Sequence, residues 1–514
     1  MERNNVISTK RMQSETQQEV SCDVMLPDYR PEIRRVISVE GTASCEGKYL
    51  SGDELEIDGS VTYTVLYIGS DGDGAQRLSS LSETSPFTAH IPMKETGEDG
   101  DGDRYTPADI AVSLTAEQCS CRVSAPRKAA LSSRLRIGVL SSRECDVSLR
   151  SDKAAGEVRR KSCERSSSSV REYRASFECG GEMSEKAGAS LVSAKGSVCV
   201  SDARVTAEGV KFTGEAYIDI LMRDESGGYG IRSARAAVDE VIPMDSGAKT
   251  DAEQFACVFP EVTMTEVNMG DDGTVTWSME YDAAADVMTR RKADVTEDAY
   301  LPEARGEEVK REKISVLDAV TASNSRLTLS HTAAAQQGSG NAKLAVAWGK
   351  AECDKPVLKN GRVSLSGKIK LGWVLTDGDD AVTGEGAVPF RYETEAKPTE
   401  NVADVGAGAD DGDTEILLPF SKCSVTLCDL SARQDGDKLS FVCETGISML
   451  AMREREASAL TSIARSAEED ENDGTHEAML RVYVPDDDED AWSVEKKFRL
   501  GHAPEKHGGN YIIG

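Results

Sequence analysis

Two glycines 18 residues apart recur three times in this chain: Gly41 and Gly59, Gly196 and Gly214, Gly349 and Gly367. The first glycines of these pairs are 155 and then 153 residues apart. Around each second glycine the apolar residues alternate. Leu55, Ile57, Val61, Tyr63 and Val65 flank Gly59. Val210, Phe212, Ala216, Ile218 and Ile220 hold the same places about Gly214, and Val363, Leu365, Ile369, Leu371 and Trp373 about Gly367. Period-two alternation through a glycine reads as one long strand with a single buried face. A glycine weakens a strand unless it has a local job. Three at one repeat position therefore predict a β-bulge or a place where another backbone crosses closely. A turn rich in Gly and Asp follows each strand, at residues 69–74, 224–228 and 376–380. Such turns close hairpins, because both residue types tolerate positive φ.

A second pair of alternating strands follows in each copy. Residues 110–114 and 134–139, 262–267 and 275–279, and 425–430 and 439–442 carry it. Six or more short strands per copy, with little helix, predict an all-β chain of tandem antiparallel sandwich or barrel-like modules. The expected division is 1–148, 149–303 and 304–455 for three β-domains, 456–476 for a helical and acidic linker, and 477–514 for a short α+β tail. Alanines, Leu460 and Ile463 at helix-compatible spacing suggest a short connecting helix from Met452 to Ala467. The acidic run 468–473 reads as a hinge. Residues 151–174, rich in Arg, Lys and Ser, read either as a linker or as a first strand after a solvated turn. Length agrees with this division, since 514 residues exceed what one core usually organises.

The stretch Leu26-Pro27-Asp28-Tyr29-Arg30-Pro31-Glu32-Ile33, followed by Val36, Ile37 and the run from Gly59 to Tyr67, resembles the SPOCS domain family. That family comprises SipL-like spore coat morphogenetic proteins of endospore-forming Firmicutes. Copies two and three have the strands but lack the Leu-Pro-Asp-Tyr signature. The tail is similar to the opening of a LysM module through Val482-Tyr483-Val484, Trp492, Val494, Phe498 and the closing Tyr511-Ile512-Ile513. It departs from that pattern at Glu489-Asp490 and Val494-Glu495, and it is short of a second helix. The resemblance thus implies a degenerate LysM-like tail.

Charge narrows the partners. There are 90 acidic against 60 basic side chains and a net charge of -30, which argues against nucleic acid. No run of 18 apolar residues exists, so no membrane span is expected. Residues 1–20 are polar and lack the apolar core of a signal peptide, so the expected location is cytoplasmic. The 13 cysteines are scattered and form no CxxC pair. They read as small buried thiols of a reducing compartment.

Nothing nominates catalysis. The five histidines, at 90, 331, 476, 502 and 507, share no repeat position, and no HExxH, GxSxG or P-loop pattern occurs. Asp99, Asp101 and Asp103 have EF-hand spacing, but Arg104 and Ile110 stand where Gly and Glu are required. Asp486, Asp488 and Asp490 fail in the same way. No cofactor, no metal and no enzyme activity are expected. A protein partner is. Pro27 and Pro31 stiffen the 26–33 loop, which suits docking, and Leu26, Asp28, Tyr29, Arg30 and Ile33 are the candidate contacts. Trp373 on the alternating face reads as core. The resemblance implies a non-enzymatic adaptor of endospore formation, working in the mother cell at the forespore surface and docking coat or envelope proteins. The alternative is a peptidoglycan-binding envelope protein using Trp492 and Phe498 of the tail. Self-association through sheet edges is a further expectation.

Overall fold

The structure is a computed structural model. It describes residues 6–513 apart from 53, 71–75, 94–105, 147–148, 152–156, 186–187, 245–251, 271, 305, 335–341, 378–379, 397–414, 419, 467–480 and 487–488. The Asp99–Asp103 cluster, Asp488 and the acidic run 468–473 lie outside the described residues.

The chain is all-β, and one order of strands recurs. The first unit holds β1 (Val6–Met25), β2 (Glu32–Ser51), β3 (Glu54–Ser70), β4 (Gln76–Pro92), β5 (Ile110–Ala125) and β6 (Lys128–Asp146). Its two antiparallel sheets run β1-β6-β5 and β2-β3-β4. After the two-residue β7 (Arg150–Ser151) come β8 (Arg159–Ser184), β9 (Ser190–Val205), β10 (Gly209–Arg223), β11 (Tyr229–Pro243), β12 (Glu253–Met269) and β13 (Thr274–Tyr300). Their sheets run β8-β13-β12 and β9-β10-β11. The third unit holds β14 (Glu307–Ala334), β15 (Lys343–Cys353), β16 (Val357–Lys359), β17 (Arg362–Asp377), β18 (Asp380–Glu395), β19 (Ile416–Leu417), β20 (Phe420–Asp435) and β21 (Lys438–Arg465). There β14-β21-β20 form one sheet, and β15 and β18 flank β17 in the other. In every unit the first strand pairs with the last, and, setting aside the short β16 and β19, the second, third and fourth form a meander. The tail adds β22 (Arg481–Tyr483), α1 (Ala491–Lys497), β23 (Glu505–His507) and β24 (Asn510–Ile513).

The alternating residues fill the space between the two sheets. Ile57, Val61, Tyr63 and Val65 of β3 share a core with Leu131, Leu135 and Ile137 of β6. Phe212, Ile218 and Ile220 meet Trp277, Met279 and Tyr281 in the second unit. Ile369, Leu371 and Trp373 meet Leu439, Phe441 and Cys443 in the third. Each large side chain so buried stabilises by about 1.5–3 kcal/mol.

The glycines do two different jobs. Gly59 and Gly214 sit beside a register break, at Cys45↔Gly59 and Val200↔Gly214, and Gly367 pairs with Cys353 at the end of β15, after which the ladder resumes in β16 one residue out of step, at Val357↔Ser364. A Cβ on Gly59, Gly214 or Gly367 would stand 2.1, 2.1 or 2.2 Å from the carbonyl oxygen of Ser44, Cys199 or Glu352. Bulge and close backbone approach thus occur together. Each first glycine marks where the second strand passes the fifth strand of the opposite sheet. A Cβ on Gly41 would meet Cys119 Sγ at 2.7 Å, on Gly196 Thr265 Oγ1 at 2.8 Å, and on Gly349 Leu427 Cδ2 at 2.6 Å.

The three units close into a ring. Leu66, Leu221 and Val374, each seven residues past its second glycine, share one buried cluster. Leu140, Met288 and Met452, one from the last strand of each unit, share another. Between them, the second strand of one unit touches the fifth strand of the next. Lys350 Nζ donates to Ala116 O at 2.9 Å, Ser197 Oγ donates to Cys428 O at 2.8 Å, and Cys45 and Glu261 line one cavity. The link between units one and two is stitched to unit three, since β7 pairs in parallel with β21.

Residues 452–465 are not helical, which corrects the expected connecting helix. They continue β21, which pairs with β14 down to Glu307↔Arg465. Alanine spacing there fits either period. A waiting partner strand and buried seats for Ala459, Leu460 and Ile463 decide it, because tertiary context overrides propensity. Of the two readings for residues 151–174, the strand is the one found from Arg159 onward, as β8.

Candidate functional site

The connection from β1 to β2 is a braced loop. Leu26 and Ile33 at its ends are buried in the first core, so they anchor the loop and are closed to a partner. Leu26 N donates to Arg127 O at 2.9 Å and Ile33 N to Pro126 O at 2.8 Å. The Arg127 guanidinium donates to Pro27 O at 3.0 Å and Arg30 O at 3.2 Å, and Tyr67 Oη donates to Pro31 O at 3.2 Å. Arg30 is half-buried and donates to Ser80 O at 2.6 Å. These bonds hold the tip while Asp28 and Tyr29 face solvent. Tyr29 is 80% exposed, with the Arg30 guanidinium 5.9 Å from its ring.

The tail's aromatic residues are engaged within the chain. In α1, Trp492 Nε1 donates to Asp298 Oδ2 at 2.9 Å, and its ring stands edge-on to Tyr300 at 5.4 Å. Phe498 packs edge-on to Tyr483 at 5.0 Å. The buried Glu495 accepts from Arg159 at 2.6 Å and from Tyr300 Oη at 3.0 Å. Lys496 bonds Asp298, and Arg499 bonds Glu307. The tail is thereby seated on the ends of β8, β13 and β14.

Sequence reasoning missed the polar heart of the ring. Glu172 of β8 is fully buried. Lys48 of β2 reaches it at 2.7 Å, Arg174 at 2.8 Å, and Lys422 of β20 at 3.2 Å. Lys422 Nζ also stands 3.0 Å from the buried Asp286, and Lys48 Nζ donates to Ile110 O at 2.6 Å. One cation comes from unit one and one from unit three, while both carboxylates come from unit two. Burial pushes the Glu172 carboxyl up, but Lys422, Arg174 and Lys48 outweigh it and hold it well below the usual range. Burial pushes Asp286 up to about 6. In the sequence these residues are unremarkable strand charges, and only the ring brings them together.

A cavity of about 460 Å³ lies along the ring axis beside this cluster. Gly41, Gly196 and Gly349 line it together with Arg174, Glu261 and Lys422. Burial raises the Glu261 carboxyl from its ordinary 4.5 to about 8, against the pull of Arg174. The folded chain then keeps a proton that the unfolded chain has lost. The stability linked to Glu261 is full below about pH 4.5 and is lost as the pH rises through about 8. In thermal melts across that window, wild type is expected to lose ground relative to Glu261→Gln. Parallel pH profiles would contradict this.

Among the described residues no cluster of three or more His, Cys, Asp or Glu has the geometry to hold a metal ion. No described helix is long and apolar enough to cross a membrane. Residues 32–124 match the family model described as SipL, SPOCS domain. The matched stretch runs from the end of the braced loop through β2, β3 and β4 and nearly all of β5. No curated protein and no solved structure matches the chain.

Proposed function

We propose that this chain, which carries a SPOCS domain over residues 32–124, is a non-enzymatic adaptor of endospore formation that docks a coat or envelope protein through its 26–33 loop. The family ties the chain to sporulation. The observation that supports the docking role is the loop itself, fixed at both ends and along its backbone, with Tyr29 and Asp28 projecting from it. A rigid exposed aromatic beside a charge provides a binding anchor at little entropic cost. The same loop adjoins the matched stretch, which begins at residue 32. Within the buried ionic cluster Glu172 is paired with three cations, which suits a structural joint better than a reacting centre. In this reading the chain works in the mother-cell cytoplasm at the forespore surface.

The peptidoglycan reading requires an exposed indole at Trp492. That ring is committed to Asp298 and Tyr300, which favours the adaptor. Two measurements separate the readings. A fluorescent full-length fusion is expected to gather at the forespore surface of sporulating cells, and the Asp28→Ala/Tyr29→Ala variant to spread through the mother cell. Identical distributions would count against the loop. In peptidoglycan pelleting, wild type and Trp492→Ala are expected to remain equally in the supernatant; pelleting lost on Trp492→Ala would restore the glycan reading.

A further inference from the structure

Cys428 is the extra residue of a bulge in β20. The register steps from Leu427↔Thr445 to Asp429↔Glu444, leaving Cys428 without a partner across the ladder. Its carbonyl instead accepts from Ser197 Oγ of β9, and its thiol donates to Thr426 O at 3.4 Å. The bulge therefore aims Cys428 at the second unit. Two residues along β9 from Ser197, on the same face, stands Cys199. Cys199, Cys428 and Tyr217 form one buried cluster. Gly446 of β21 leaves the space: a Cβ there would lie 2.9 Å from Cys199 Sγ and 3.3 Å from Cys428 Sγ. Both sulfurs crowd a single point between units two and three.

The two thiols also differ in character. The neighbouring Cys428 thiol draws the Cys199 thiol below its ordinary value, with burial opposing and the Arg326 guanidinium aiding. Cys199 and burial together push Cys428 up. Cys257, Cys353 and Cys423, by contrast, are pushed up by their burial. Cys199 is thus the thiol readiest to ionise, with a resolving thiol beside it.

We infer that Cys199 and Cys428 are an oxidisable pair whose disulfide joins the second unit to the third. The oxidant is a small peroxide. A cavity of about 110 Å³ that Cys428 lines gives it a place beside the pair. The Cys199 thiolate attacks one peroxide oxygen and the O–O bond breaks. With hydrogen peroxide the departing hydroxide takes up one proton and leaves as water, and the sulfur is left as sulfenic acid. Cys428 then gives up its proton and attacks that sulfur. The S–S bond forms, the S–O bond breaks, and a second water leaves. Two thiols have lost two electrons and one peroxide has gained them. The bond closes a loop of about 230 residues, long enough to restrain the unfolded chain strongly. This inference stands on the bulge and the packed sulfurs and is independent of the docking role.

The test treats the folded full chain with hydrogen peroxide, blocks the remaining thiols, and maps linked peptides by mass spectrometry. The expected product is a Cys199–Cys428 peptide that dithiothreitol reverses, with faster migration on a non-reducing gel and a raised melting temperature. Cys428→Ser is expected to abolish all three, and Cys163→Ser, at a half-exposed site away from the pair, to keep them. Wild-type mapping requires no variant to fold. A different linked pair, or oxidation of Cys199 beyond sulfenic acid with no link, would overturn the assignment.

Discussion

Glu172→Ala is expected to be among the most damaging single substitutions in this chain. It leaves Lys48 and Lys422, only 9% and 8% exposed along their side chains, without the carboxylate between them. It also frees Arg174 from its closest acceptor. Removing one member of a buried ionic cluster costs about 3–5 kcal/mol, because the remaining charges stay desolvated. For domains of this size that corresponds to a fall in melting temperature on the order of 10 °C. Glu172→Gln keeps an acceptor and loses the charge, so it should fall between. The effect has a pH signature. Glu172 titrates below its ordinary 4.5 when folded, so its contribution is fully present above that value and is lost as the pH falls through the lower, folded one. Wild type and Glu172→Ala should therefore differ at neutral pH and converge in acid. A difference under about 1 kcal/mol at neutral pH, within the range of a surface ion pair, would contradict the role given to this residue.

The second large effect belongs to Gly59, Gly214 and Gly367. Even the smallest side chain there would press a Cβ to 2.1–2.2 Å from a neighbouring backbone carbonyl. A side chain can rotate away from such a contact, but a paired strand has to move. Alanine at any one of the three is expected to cost about 3 kcal/mol, the upper part of the overpacking range. Gly41→Ala is expected to cost less, because its nearest obstacle is the Cys119 sulfur, which can turn. Gly501→Ala is the control, since nothing lies within 4 Å of its Cβ position. It should stay within about 0.5 kcal/mol of wild type. Urea unfolding of the five variants gives the comparison. Equal effects at Gly59 and Gly501 would show that the bulge yields.

The strand content and the glycine roles were legible because both follow from local rules. Alternation fixed which face of β3, β10 and β17 is buried, and a glycine at a fixed place in three strands pointed to a bulge. The ring was harder to see. Its apolar contacts, Leu66, Leu221 and Val374, occupy the face of each third strand that alternation assigns to solvent. The runs Val65–Ile68 and Ile220–Met222 are apolar on both faces, and that was the available signal that both sides are covered. No such signal marks Glu172 or Lys422, since a strand charge looks the same whether water or a neighbouring unit faces it. The 26–33 loop was readable as rigid from its prolines. That Leu26 and Ile33 are spent on the core depends on the depth of the first unit, which spacing alone does not give. Trp492 likewise suggested a platform until the ends of β13 and β14 supplied Asp298, Tyr300 and Glu307 to seat the tail.

The three units form one body, joined where second and fifth strands meet around Glu172. Hydrogen exchange of the full chain, wild type beside Glu172→Ala, reports on that joint. Exchange is expected to quicken in β2, β9 and β15 and in β5, β12 and β20 together, across all three units. Quickening confined to β8, β12 and β13 of the second unit would show that the units are not so joined.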